Sequence, residues 1–75
     1  MALIDVRAPM VASVFEILVS VGDEVSADQE LIVLESMKME VPVSAGLAGR
    51  VAEVLVQQST PVSEGDVLIR LEVTG

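Results

Sequence analysis

The sequence contains no cysteine and no histidine. The first absence excludes a disulfide staple, a thiolate nucleophile and a thiolate metal ligand. The second removes the commonest general base and the commonest transition-metal ligand. No apolar run approaches the roughly 20 residues of a membrane helix. The opening Met1-Ala2-Leu3-Ile4-Asp5 lacks the basic stretch and the long apolar stretch of a secretory signal. Positive charge is scarce: four Lys and Arg stand against 12 Asp and Glu, for a formal net charge of -8. Such a chain repels phosphate backbones and anionic lipid, so neither nucleic acid nor a membrane is expected as a partner. The acidic excess could steer a basic partner, although charge kept for solubility is the commoner reason for it. At 75 residues a single domain is expected, too small for a deep catalytic pocket. Together these features predict a complete, cytoplasmic chain.

What is present forms strands. A hydrophobic content of 52% excludes disorder, and Val and Ile dominate it, which favours extended backbone. Phe15, Ile17, Val19 and Val21 alternate with Glu16 and Ser20, predicting one apolar face. Leu31-Ile32-Val33-Leu34 reads as a strand covered on both sides. Turn formers recur at Pro9, Gly22-Asp23, Pro42, Gly46, Gly49, Pro61 and Gly65-Asp66, and no window of helical length escapes them. Strands are predicted over 3–7, 11–19, 24–26, 30–36, 39–43, 50–57, 62–63 and 67–73.

Sliding the chain 37 positions along itself reveals an internal repeat. Val14, Glu16, Leu18 and Val19 meet Val51, Glu53, Leu55 and Val56; Val25 and Ser26 meet Val62 and Ser63. Leu31, Ile32, Leu34 and Glu35 meet Leu68, Ile69, Leu71 and Glu72, without a gap. Neither half, about 1–37 or 38–75, has a second layer to bury its apolar face. Folded over each other, the two give an all-β flattened barrel or sandwich of two antiparallel sheets with a pseudo-twofold axis.

Between the halves lies Glu35-Ser36-Met37-Lys38-Met39-Glu40. Strand signals on both sides leave about two residues for a hairpin turn, which normally takes Asn-Gly or Asp-Gly because its central residues need positive φ. Met37 and Lys38 dislike that region, at roughly 1–2 kcal/mol each. Local failure of sequence logic marks function. Lys38 is also the only lysine of the chain. A lone exposed lysine is usually a solvated charge, but a sole lysine at the midpoint of a repeat, in a turn without turn formers, suits a residue that must be modified alone. Met37 and Met39 could fill irregular core space or offer an adaptable apolar grip to an enzyme.

This hexapeptide resembles the biotin-attachment motif Glu-Ala-Met-Lys-Met of biotin carboxyl carrier proteins. The resemblance runs from Val6 to Glu72, taking in Val6-Arg7-Ala8-Pro9-Met10, the turn Gly22-Asp23-Glu24-Val25 with its looser echo at Pro61-Val62-Ser63-Glu64-Gly65-Asp66, and Ala45, Gly49 and Arg50-Val51. It implies two four-stranded sheets with quasi-twofold symmetry and biotin in amide linkage to Lys38. Glu35, Ser36, Met37, Met39 and Glu40 then serve recognition by biotin protein ligase and other partners. The resemblance also implies a carrier without catalytic residues or a metal, moving a carboxyl group between biotin carboxylase and carboxyltransferase; acetyl-CoA, other acyl-CoA, pyruvate, urea and decarboxylase systems all use similar carriers. Ser36 stands where alanine is commoner, and Asp28 and Ser59 where turns of the family often carry glycine. Too few residues separate the second and third strands for the protruding thumb of some carriers.

An amine activated by its own protein needs burial or a cationic neighbour, and a hairpin tip beside Glu35 and Glu40 offers neither, so activation of the reaction must come from the ligase. Five other readings compete. A lipoyl carrier shares the fold, but its motif typically has Asp before the lysine and Ala after it. An unmodified interaction module predicts nothing special of Lys38. Two thioethers, Met37 and Met39, make a weak soft-metal site, and Asp23, Glu24, Asp28 and Glu30 lack the spacing of a calcium loop. A Ser36–Lys38 dyad would be an enzyme without an oxyanion hole.

Overall fold

The valine-rich segments pair as antiparallel ladders in a computed structural model, which describes residues 2–73. Met1, Thr74 and Gly75, at the outer ends of the two expected quasi-repeats, lie outside the described residues. The strands are β1 (Ala2–Arg7), β2 (Ala12–Ile17), β3 (Glu24–Val25), β4 (Glu30–Ser36), β5 (Met39–Ser44), β6 (Gly49–Val54), β7 (Pro61–Val62) and β8 (Val67–Val73). They form two four-stranded sheets, ordered β1-β8-β6-β3 and β5-β4-β2-β7. The fold is all-β, as the repeat and the strand signals predict.

The largest fully buried side chains are Val14, Leu31, Ile32, Leu34, Val51, Leu68, Ile69 and Leu71. These are four pairs, each separated by 37 residues and each identical in type. The same spacing governs the irregularities. Phe15 is left unpaired between Val14↔Leu34 and Glu16↔Val33, and Ala52 is left unpaired between Val51↔Leu71 and Glu53↔Arg70. Such a bulge adds one residue to one strand and re-aims the side chains beyond it. Hence Phe15 and Val21 are exposed while Ile17 and Val19 pack inward. The face expected from simple alternation is broken, because the bulge shifts its phase at Phe15 and a turn reverses the chain at Val21. Strand β2 also stops at Ile17, two residues short of the expectation, as the chain leaves the ladder for the turn at Ser20.

The turns repeat as well. The Asp23 N–H donates to the Ser20 carbonyl (3.1 Å) and the Ser20 N–H to Asp23 Oδ2 (2.9 Å). One repeat later Thr60 N–H donates to the Gln57 carbonyl (3.1 Å) and Gln57 N–H to Thr60 Oγ1 (3.1 Å). Ser59, standing where its counterpart Gly22 has φ 95°, takes up φ 74°. Asp28 keeps φ negative where its counterpart Gly65 has φ 90°, so of the two glycine substitutions only Asp28 changes the turn. Across the outer face of the first sheet, Arg70 bonds Asp5 (3.1 Å) and Glu53 (3.2 Å). These bonds, the one Arg70 donates to Glu53 foremost, raise Arg70 above the ordinary arginine value.

Candidate functional site

Strands β4 and β5 pair from Glu30↔Ser44 up to Ser36↔Met39, which leaves Met37 and Lys38 as the two residues of the turn. Their φ angles are 52° and 65°. Both central residues are therefore left-handed, the conformation whose backbone twist matches that of the flanking strands. The geometry that the sequence calls for is realised without a residue that prefers it. A turn imposed by the ladder on either side holds Lys38 in place at the end of the hairpin.

The six residues of the motif, Glu35 to Glu40, lie together here. Lys38, Glu35 and Glu40 are exposed and Ser36 is half-buried. Met37 is 93% and Met39 68% exposed, so neither fills core space; both stand ready as apolar contacts beside the amine. Glu35 pairs directly across from Glu40, an arrangement of like charges that weakens a ladder. Among the described residues Lys38 enters no ion pair, and no three acidic side chains gather as a group able to hold a metal ion. The tip is thus a primary amine on a firm support, flanked by two thioethers and two carboxylates. Chemically it suits acylation by an external donor, and an amide-linked group fits it.

A family model described as "Biotin-requiring enzyme", of the biotin/lipoyl type, matches residues 4–71. The chain belongs to the biotin/lipoyl attachment family. Biotin is its cofactor. Among the family's members, the biotinylated protein TB7.3 homolog of Mycobacterium leprae is 50% identical over 64 residues, covering 85% of this chain and 90% of the relative. The biotin carboxyl carrier protein of Streptococcus mutans is 45% identical over 64 residues, covering 85% of this chain and 49% of the relative. A solved single-chain, multi-domain long-chain acyl-CoA carboxylase superposes with a TM-score of 0.85 at 32% identity, covering 97% of this chain and 7% of that one.

Sequence reading missed one part of the biotin/lipoyl chain's surface. Phe15, assigned to the apolar face, lies exposed on the sheet that carries Lys38. Val33 pairs with Glu16 on one side and Pro42 on the other, all on the outer face of that sheet. The 37-residue comparison holds the signal: Val33 and Pro42 stand where the other half has Arg70 and Asp5.

Proposed function

We propose that this chain is a biotin carboxyl carrier with biotin in amide linkage to Lys38. The observation that carries the reading is the sole lysine of the chain, exposed at the midpoint of a hairpin whose two turn residues are held left-handed against their preference. Glu35, Ser36, Met37, Met39 and Glu40 form the surface that biotin protein ligase reads. Once Nζ is a free amine, it forms a bond to the acyl carbon of the ligase's acyl-adenylate. The bond from that carbon to the nucleotide phosphate breaks, AMP leaves, and one Nζ proton passes to the ligase. Bound biotin supplies the atom that accepts and releases a carboxyl group. The chain's own contribution is to fix the root of the arm and keep its end at high effective concentration near the partner sites. Regular strands hold such a root better than a loop does.

In this reading the carrier visits biotin carboxylase and then a carboxyltransferase; likeness to an acyl-CoA carboxylase supports an acyl-CoA acceptor. It works in the cytoplasm as one attachment domain of two quasi-repeats, about 1–37 and 38–75, and has no catalytic residue of its own. The test is the intact mass after co-expression with biotin protein ligase and excess biotin, beside Lys38→Arg. A gain of one biotinyl group by the parent alone is expected. A parent that stays unshifted, or gains a lipoyl group instead when offered lipoate and its ligase, overturns the reading.

A further inference from the structure

The two sheets have matching backbones and opposite outer faces. All three arginines lie in the sheet β1-β8-β6-β3: Arg7 in β1, Arg50 in β6 and Arg70 in β8. Each meets a carboxylate, Arg7 at Asp5 (3.2 Å), Arg50 at Glu24 (4.0 Å) and Arg70 at Asp5 and Glu53. The strands of the other sheet carry Glu16, Glu30, Glu35 and Glu40 and no cation. Lys38, in the turn of that sheet, is its only positive charge.

The centre of each face differs in the same sense. On the arginine sheet the cross-strand row reads Asp5–Arg70–Glu53, with Ala52 at the bulge. On the lysine sheet the equivalent row is Pro42–Val33–Glu16, with Phe15 at the bulge. Val33 alternates with Ile32 and Leu34, which belong to the core. It is absent from that core, yet only 8% exposed. Phe15, the chain's one aromatic residue, is 42% exposed. The arginine sheet shows that this backbone folds without an apolar centre on its outer face. Phe15, Val33 and Pro42 are therefore not explained by the scaffold. They sit three residue steps back from the base of the turn, about 10 Å at the usual strand rise.

We infer that this face, with Phe15, Val33 and Pro42 at its centre and Glu16, Glu35 and Glu40 around them, is the docking surface for the biotin-carboxylating partner, which meets it with an apolar seat ringed by lysine and arginine. This rests on Lys38 being the biotinylated residue. Amide formation abolishes the Lys38 charge, and the sheet then has no cation at all. The biotinylated carrier is thus more complementary to a basic seat than the unmodified one, which selects the enzyme acting after the ligase. A second copy is the poorer occupant, because two such faces would bring carboxylates together.

The experiment measures carboxylation of biotinylated carrier by the biotin carboxylase of the same organism, with ATP and bicarbonate, over a range of carrier concentrations. Phe15→Ser should raise KM for the carrier by about tenfold, as loss of an aromatic anchor does, and leave kcat unchanged. Glu16→Gln should raise KM at low salt only, and Ala52→Ser, the matching change on the arginine sheet, should do nothing. Transfer of biotin by the ligase should proceed at the parent rate in all three. An unchanged KM in Phe15→Ser overturns the inference, as does an equal loss of ligase transfer, or a parent dimer in sedimentation that Phe15→Ser dissolves. A parent that takes no biotin removes the carrier reading itself; a biotinylated parent with an insensitive KM removes only the docking face.

Discussion

Met37, Lys38 and Ser59 share a conformation for different ends. Ser59 has φ 74° in a turn whose counterpart uses Gly22 at φ 95°, and an added Cβ at Gly22 would meet nothing within 4 Å. The strain of a side chain at Gly22 would therefore be backbone strain alone. Ser59→Gly should stabilise the protein by about 0.5–1 kcal/mol, the relief of a left-handed residue less the greater freedom of glycine when unfolded. Gly22→Ala should destabilise it by about 0.5–1 kcal/mol, the same two effects in reverse. Urea unfolding of both variants measures this, and equal midpoints would show that φ is not what limits these turns. Met37→Gly should likewise stabilise the hairpin while slowing biotin transfer, because it removes the thioether beside the amine. A variant gaining stability and keeping the parent's transfer rate would exclude Met37 from recognition. The need for a left-handed turn at Met37 and Lys38 was legible because strand signals on both sides left only two residues. Ser59 was legible only as a departure from glycine; nothing local says whether a serine will follow the glycine conformation.

Among the strands, extent was legible from β-branched composition and punctuation, and register was not. Alternation has a period of two, so one inserted residue reverses every side chain beyond it. The bulge at Phe15 does this, and its composition gives no sign of it. Its counterpart at Ala52, of a different residue type, does the same in β6, so the bulge belongs to the repeated backbone rather than to either residue. A tighter constraint governs the start of β6. A Cβ on Gly49 would lie 2.6 Å from the carbonyl oxygen of Glu72 and 3.4 Å from Val73 Cγ2. The first contact is to a paired backbone, which cannot swing aside as a side-chain end could. Gly49→Ala should therefore lower stability by about 1–3 kcal/mol. Ala12, 37 positions earlier and at the start of β2, carries a Cβ, so the constraint is particular to β6 beside β8. Thermal unfolding decides it: a Gly49→Ala midpoint equal to the parent's would mean that β8 moves away without cost.

At the scale of the molecule the halves interleave. The sheet β1-β8-β6-β3 takes β1 and β3 from the first half and β6 and β8 from the second; the other sheet takes β2 and β4 from the first, and β5 and β7 from the second. Two halves laid over each other, as the repeat alone suggests, could each have kept a sheet of their own. Here the ladders β1–β8, β4–β5, β2–β7 and β3–β6 each join strands from different halves, and only β2–β4 and β6–β8 stay within one. The fully buried leucines meet in one shared core, Leu31 and Leu34 from one half with Leu68 and Leu71 from the other. Stability of about 0.05–0.15 kcal/mol per residue gives roughly 4–11 kcal/mol for a chain of this length. Leu34→Ala or Leu71→Ala should each remove about 2–5 kcal/mol of it. Because the core is shared, either change should shift a single transition, seen alike by circular dichroism and by solvent exchange of amides in both sheets. Residues 1–37 and 38–75 prepared as separate peptides should each lack cooperative unfolding, since neither retains a closed apolar layer. Cooperative melting of either peptide alone, or separate transitions for the two sheets in Leu34→Ala, would show that one half carries its own fold. The support beneath Lys38 would then be β4 and its neighbours from one half, instead of the whole sandwich.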